Sequence, residues 1–178
     1  MGRILSTEMY HYRQLDRNRK EIRLLILDPG SGTDIIRCSL QHVFLDHDHK
    51  PLYETISYVC GDPHARATII LNDTEFKVLT SSEAVLRRMR LEDKSRTLWI
   101  DSICVNQYDN AERNHQVGMM YQIYTNTFRN LVWLGDDDGH TAKAIDSIRT
   151  ILEDIDGETR DSVKLQDLLW DERGQRQY

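Results

Sequence analysis

The sequence lacks most of the features that would assign it quickly to a functional class. Positive charge is not in excess: 23 Lys and Arg stand against 29 Asp and Glu, a formal net charge of -6 over 178 residues. That balance argues against nucleic acid as a main partner, because a phosphate-binding surface needs clustered Lys and Arg. The one arginine-dense patch, "HYRQLDRNRKEIR", is interrupted by acids and reads as a solvated segment. No apolar run approaches the roughly 20 residues of a membrane span. The N-terminus has no long apolar core of a secretory signal. Its Met-Gly start with Ser6 fits the myristoylation pattern, but that pattern is short and recurs by chance. Cysteine is scarce: Cys38, Cys60 and Cys104 are odd in number and share no short spacing. No disulfide framework is expected, and a reducing, cytoplasmic setting fits.

What is present is enough chain for one domain with a core. The first third reads as strands. "EIRLLILDPG" is an apolar run stopped by Pro29-Gly30, and "DIIRCSLQHVFL" and "YETISYV" are strand-like. "ATIILNDTEFKVL" predicts a hairpin around Asn72-Asp73. The period then changes. "SSEAVLRRMRLE" predicts a helix with Ser81 or Ser82 as N-cap and Val85, Leu86 and Met89 on one face. "RTLWID" and "RNLVWLG" are short strands. Between them "NAERNHQVGMMYQIYTNT" predicts a helix whose apolar stripe is Val117, Met120, Tyr121 and Tyr124. "TAKAIDSIRTILEDI" predicts a further amphipathic helix with Ala144, Ile148, Ile151 and Leu152 inward, and "SVKLQDLLW" another. Alternating strands and helices imply an α/β fold with a mostly parallel sheet flanked by helices. The early strands are expected as a hairpin-rich addition at an edge or face.

In an open α/β sheet, ligands bind beyond the carboxyl ends of the strands. Three such ends carry polar, tight-turning residues: "SYVCGD" (57–62), "IDSICVNQ" (100–107) and "WLGDDD" (133–138). If those strands are parallel neighbours, the ends converge on one crevice. Its candidate lining is Ser57, Tyr58, Gly61, Asp62, Asp101, Asn106, Gln107, Gly135 and Asp136. The alternative is that Gly and Asp stand there because turns favour them. Glu112 and Asp101 are the candidate catalytic carboxylates, but Asp109 three residues before Glu112 has the spacing of a capping box, and capping is the favoured reading. Arg113 projects onto the stripe predicted to face the core, where an unpaired charge is costly. A buried pair with Asp101 or Asp62 is therefore expected, more architectural than catalytic. Cys104 has no histidine placed to activate it and reads as a buried structural cysteine. His47, His49, Cys60 and His64 match no closed zinc pattern, so no metal is expected. Trp99 and Trp133 read as core.

"IRLLIL", "YETISYVCGD", "LWIDSICVNQYDNAERNHQVGMMYQIYTNT" and "NLVWLGD" stand in the order and spacing of a known domain. The chain resembles the heterokaryon-incompatibility (HET) domain of filamentous fungi over about residues 20–138. In that motif Trp99, Cys104, Arg113, Gln116 and Trp133 are structural positions. The resemblance implies a role in fungal non-self recognition and regulated cell death. It also implies remote kinship with Toll/interleukin-1 receptor (TIR) domains and a flavodoxin-like fold. Some TIR domains cleave NAD at the nicotinamide glycosidic bond with a glutamate and are switched on by self-assembly. NAD is thus the substrate implied if the chain is an enzyme, and protein partners or self-assembly are implied in any case. Cys60 stands where the family usually has Trp. The family's usual Trp-x-x-Gln-Glu segment is not found before the end at "LLWDERGQRQY", and Glu172 does not replace it. The expected organisation is an extension over 1–19, the domain over 20–160 and a helical, truncated continuation over 161–178. The favoured reading is a signalling module, with an NAD hydrolase and an inactive or decoy fragment as alternatives.

Overall fold

The computed structural model describes residues 10–45, 51–135 and 146. The chain divides into two compact units, Met1–Trp133 and Leu134–Tyr178. The predicted helices after residue 140, together with Asp136, His47, His49, Ser6 and Glu172, lie outside the described residues.

The first unit is built on one seven-stranded sheet. Its strands are β1 (Glu21–Leu27), β2 (Arg37–Phe44), β3 (Glu54–Tyr58), β4 (Arg66–Leu71), β5 (Thr74–Leu79), β6 (Arg96–Trp99) and β7 (Arg129–Trp133). Their order is β5-β4-β2-β1-β6-β3-β7. The pairs β2–β4, β3–β6 and β3–β7 are parallel, and β1–β2, β1–β6 and β4–β5 are antiparallel. Three helices are described: α1 (Thr80–Met89), the single turn α2 (Asp101–Cys104) and α3 (Asn110–Thr125). The result is an α/β fold with a mixed sheet.

The early strands are more than an addition. β1 sits between β2 and β6, in the middle of the sheet. Its continuous run "EIRLLIL" suits that place, since a central strand covered on both faces has no solvent side to keep polar. Ile22, Leu24, Leu25 and Leu27 are all buried, each contributing about 1.5–3 kcal/mol of apolar burial. The β4–β5 hairpin turns at Asn72 and Asp73, with φ of 48° and 62°. Asn and Asp tolerate that left-handed conformation, and it matches the twist of paired strands. The Asn72 side-chain oxygen also accepts from Leu40 N–H at 2.8 Å, fixing the hairpin to β2.

Two helical expectations are corrected. Helix α1 has Leu79 at its N-cap with no side-chain cap bond, so neither Ser81 nor Ser82 caps it. The buried stripe of α3 is Glu112, Gln116, Met119 and Ile123. Val117 and Tyr121, expected inside, are 59% and 80% exposed. Arg113 is exposed as well and has no ion-pair partner among the described residues, so the expected Arg113 pair with Asp101 or Asp62 is not formed. The real core-facing stripe lies one residue over, and it is partly polar because β1 supplies partners for it.

Those partners are Glu21 and Arg23, which share one face of β1 at the two-residue period. Buried Glu21 accepts from Asp16 N–H at 2.6 Å, from Arg13 at 3.1 Å and from His42 Nδ1 at 2.9 Å. Its backbone oxygen takes the Gln116 amide at 3.1 Å. Burial opposes ionisation of Glu21, but the Asp16 N–H, His42 and Arg13 together hold its pKa below the usual value. Burial depresses the His42 pKa, and its bond to Glu21 only partly offsets this. Both shifts have the same sign for stability. A depressed His42 stays neutral in the fold while the unfolded chain takes up a proton near its ordinary value of about 6.5. A depressed Glu21 contributes stability above the ordinary carboxylate value, and that is lost as pH falls through its folded value. Stability is thus expected to fall as pH drops below about 6.5 and further in the carboxylate range. His42→Gln should flatten the upper part of the fall. Denaturant midpoints stepped from pH 7.5 to 4 check this, and an unchanged upper slope in His42→Gln would refute it.

Candidate functional site

The parallel strands β6, β3 and β7 are consecutive in the sheet, with β3 in the middle. Their carboxyl ends therefore lie side by side. Beyond the ends of β3 and β6, against the β4–β5 hairpin and α3, the structure has a cavity of about 470 Å³. That is within the range of small-molecule sites, about 300–1,000 Å³.

One polar feature of its lining is a triangle of hydroxyls. Tyr58 Oη lies 2.7 Å from Ser82 Oγ and donates to Ser102 Oγ at 2.9 Å, and the two serines are 3.2 Å apart. Three separate elements supply them: the end of β3, the first turn of α1 and α2. Burial raises the Tyr58 pKa, with the two serine bonds opposing. The phenol therefore stays protonated at neutral pH and acts as a hydrogen-bond donor. Asp101 opens α2 at the cavity rim, its Oδ1 accepting from Ser102 N–H at 2.7 Å. It is solvent-accessible, yet the surrounding walls partly desolvate its carboxylate and raise its pKa, against the Ser102 N–H. Gln107 donates to Asp101 O at 2.8 Å and closes the turn after α2. Aromatic rings of Tyr12, Phe76, Tyr108 and Tyr124 give the cavity flat apolar walls, and Arg66 and Lys77 stand on the hairpin side.

Of the residues read from the sequence, Ser57, Tyr58, Asp101 and Gln107 line this cavity. Gly61, Asp62 and Asn106 sit in its flanking turns. Gly61 N–H donates to Ser81 Oγ at 3.3 Å, and Asp62 Oδ1 accepts from His64 N–H at 2.8 Å. Asn106 Oδ1 accepts from Tyr108 N–H at 3.1 Å. Gly135 belongs to the second unit, where its φ of +110° suits a residue without Cβ. Sequence reading missed Ser82, Ser102, Tyr12, Tyr108 and Tyr124. Ser82 was hidden by its resemblance to a cap, and the tyrosines by their helical or loop setting.

Glu112 is not in the cavity. It is 4% exposed and forms a two-pronged pair with Arg23, itself 0% exposed, at 2.6 and 3.0 Å. Its Oε1 also accepts from Asn106 N–H at 2.7 Å. The capping half of the expectation stands with Asp109, whose Oδ1 accepts from Ala111 and Glu112 N–H. Glu112 itself reaches past the cap to the preceding turn. With both oxygens committed to buried donors, it is placed to hold structure rather than to meet a substrate. Arg23 further donates to Cys104 O at 3.1 Å and to Arg13 O at 2.5 Å. Cys104 is buried, and desolvation pushes its thiol pKa up to about 12. That leaves no thiolate for nucleophilic work. Trp99 is fully buried with Tyr124 edge-on at 5.8 Å, and Trp133 is half-buried. Among the described residues no cluster of His, Cys, Asp and Glu could hold a metal ion, and no helix is long and apolar enough to cross a membrane.

Comparison with known proteins now bears on this geometry. The family model "Heterokaryon incompatibility protein (HET)" matches residues 53–177. That stretch contains both polar turns lining the cavity but not β1, which carries Arg23. A Neurospora crassa protein, "Heterokaryon incompatibility protein 6, OR allele", is 32% identical over 144 residues, which cover 73% of this chain and 21% of that protein. The chain thus spans about a fifth of that relative's length. No solved structure matches. With the signature turns assembled at the carboxyl ends of β3 and β6 and the family model matched over most of the chain, the protein belongs to the heterokaryon incompatibility (HET) family.

Proposed function

We propose that this chain acts in fungal heterokaryon incompatibility, as a signalling module of non-self recognition that promotes regulated cell death through protein partners or self-assembly. The observation that carries the reading is where the family signature falls. Residues 98–113 build the rim of the cavity and, through Glu112, its buried support, so the motif maintains one shaped site. The exposed side of α3, with Arg113, Val117 and Tyr121, is the contact face this reading favours. Val117 and Tyr121 lie one turn apart and are open to solvent.

A second reading is hydrolysis of NAD at the nicotinamide glycosidic bond by a TIR-like site. It is favoured by a cavity of about 470 Å³ in which Asp101 is an accessible carboxylate of raised pKa. It assigns the acid to Asp101, not to Glu112.

One experiment separates the two. The protein, in its full genomic length, is induced in a fungal host, and colony survival and cellular NAD are followed. The signalling reading expects Asp101→Asn to kill as well as wild type, while Val117→Asp with Tyr121→Asp raises survival by at least about tenfold. The enzymatic reading expects NAD to fall before death, and expects Asp101→Asn to abolish both. Killing that survives both sets of substitutions would overturn both readings.

A further inference from the structure

Residues 10–15 precede the segment matched by the family model, yet one of them forms part of the cavity. Tyr12 lines it. Its hydroxyl donates to Ile103 O, in α2, at 2.8 Å. Its ring meets Tyr10 edge-on at 5.1 Å and Phe76 of the hairpin at 6.1 Å, and Tyr10 meets Phe76 at 5.7 Å. The Arg23 guanidinium lies over the same ring, 4.8 Å from its centre. Tyr12 thus bridges the two walls of the cavity, the hairpin and α2.

How this segment is held is unusual. Residues 10–15 are in neither helix nor strand, and among the described residues no backbone–backbone hydrogen bond ties them down. They are fixed by side chains: the Tyr12 contacts, the buried Leu15, the Arg13 pair with Glu21 at 3.1 Å and the Arg23 bond to Arg13 O at 2.5 Å. A segment held without a backbone ladder can open alone, well below the free energy of global unfolding. Arg23 is the common member. One guanidinium binds the segment (Arg13 O), α2 (Cys104 O) and Glu112, which in turn takes Asn106 N–H.

We propose that residues 10–15 are a strap that closes one wall of the cavity, with the buried Arg23–Glu112 pair as its latch. Lifting the strap removes Tyr12 from the cavity and the hydroxyl donor from Ile103 O together. The cavity opens, and the turn carrying Asp101, Ser102 and Gln107 loosens with it. The proposal names a control element of the site taken as functional above and rests on that reading for its biological meaning. Its test reads motion alone, so either can fail without the other.

The test is residue-resolved hydrogen exchange on the whole chain. Tyr12→Ala should speed exchange of the Cys104, Val105 and Asn106 amides by about tenfold or more, while Leu24 and Leu25 in β1 stay at wild-type rates. Tyr12→Phe, which keeps the ring and loses only the bond to Ile103 O, should show a smaller rise at the same amides. The dye 1-anilinonaphthalene-8-sulfonate should bind Tyr12→Ala more strongly, because Phe76 and Tyr124 become reachable. Equal acceleration across β1 and the turn would mean simple destabilisation and would overturn the strap. Unchanged exchange at residues 104–106 would overturn it too. Arg23→Lys serves as a second probe that leaves Tyr12 intact. It should loosen the same amides, and failure to do so would remove the latch.

Discussion

Glu112→Ala is expected to lower the unfolding free energy by about 3–5 kcal/mol, the range for a buried charge stripped of its partner. Arg23 is completely buried, and its Nε already lacks a hydrogen-bond partner among the described residues. Without Glu112 the guanidinium keeps, among the described residues, two carbonyls, Cys104 O and Arg13 O, neither of which offsets a full positive charge. Domains of this size are stable by about 5–15 kcal/mol, so the variant approaches the threshold of folding. The loss should not be read as the value of the pair, since most of it is the cost of the abandoned charge. Arg23→Met combined with Glu112→Leu removes both charges and should recover most of the loss. Urea unfolding of wild type, the single variant and the double variant measures this. A single-variant loss under about 1 kcal/mol would place the pair among screened surface contacts. The double variant also lacks the acceptor for Asn106 N–H. It should regain stability while the 104–108 turn stays loose, which separates the pair's energetic role from its positioning role.

That pair also marks where sequence reading stops. The principle that a core-facing arginine needs a carboxylate holds here, but for Arg23, not Arg113. Arg23 sits in a run that reads as a plain buried strand, and its partner lies 89 residues away. Periodicity in α3 selected Val117, Met120, Tyr121 and Tyr124 because hydropathy alone defines that stripe. The buried stripe contains Glu112 and Gln116, which are polar in isolation and become acceptable inside only because Arg23 and Glu21 O meet them. Local features were legible: the Asn72-Asp73 turn, the Asp109 cap, and the strand ends at 57–62 and 100–107, each governed by neighbours in sequence. The hydroxyl triangle was not. Tyr58, Ser82 and Ser102 meet only through the sheet order, and a serine beside a helix start looks like a cap until the tertiary contact is seen.

The other large effect is expected at the opposite end of the same three parallel strands. Glu54 opens β3 between the starts of β6 and β7, and Arg96 Nε and Nη2 reach its carboxylate at 2.5 and 3.0 Å, with Arg129 Nε at 3.5 Å. Arg96 also donates to Met89 O at 3.0 Å, joining the end of α1 to the clamp. Glu54 therefore ties together the strands whose far ends carry the cavity. Glu54→Ala takes the two-pronged carboxylate from an arginine that is 9% exposed. The expected cost is about 3 kcal/mol, the low end for a broken buried pair, because the Arg129 side is partly open and can turn to water. For a chain of this length that corresponds to a fall in Tm of roughly 6–12 °C. Glu54→Gln keeps acceptor and shape but not charge, and should cost less, about 1–2 kcal/mol. Thermal melts order the variants. If Ala and Gln cost the same, the whole cost is the lost charge, and the acceptor and shape that Gln keeps contribute nothing. If Gln melts with wild type, the charge contributes nothing; a Gln cost between those of wild type and Ala, as the geometry requires, means that charge and hydrogen-bonded shape together pin the strands at the end opposite the cavity.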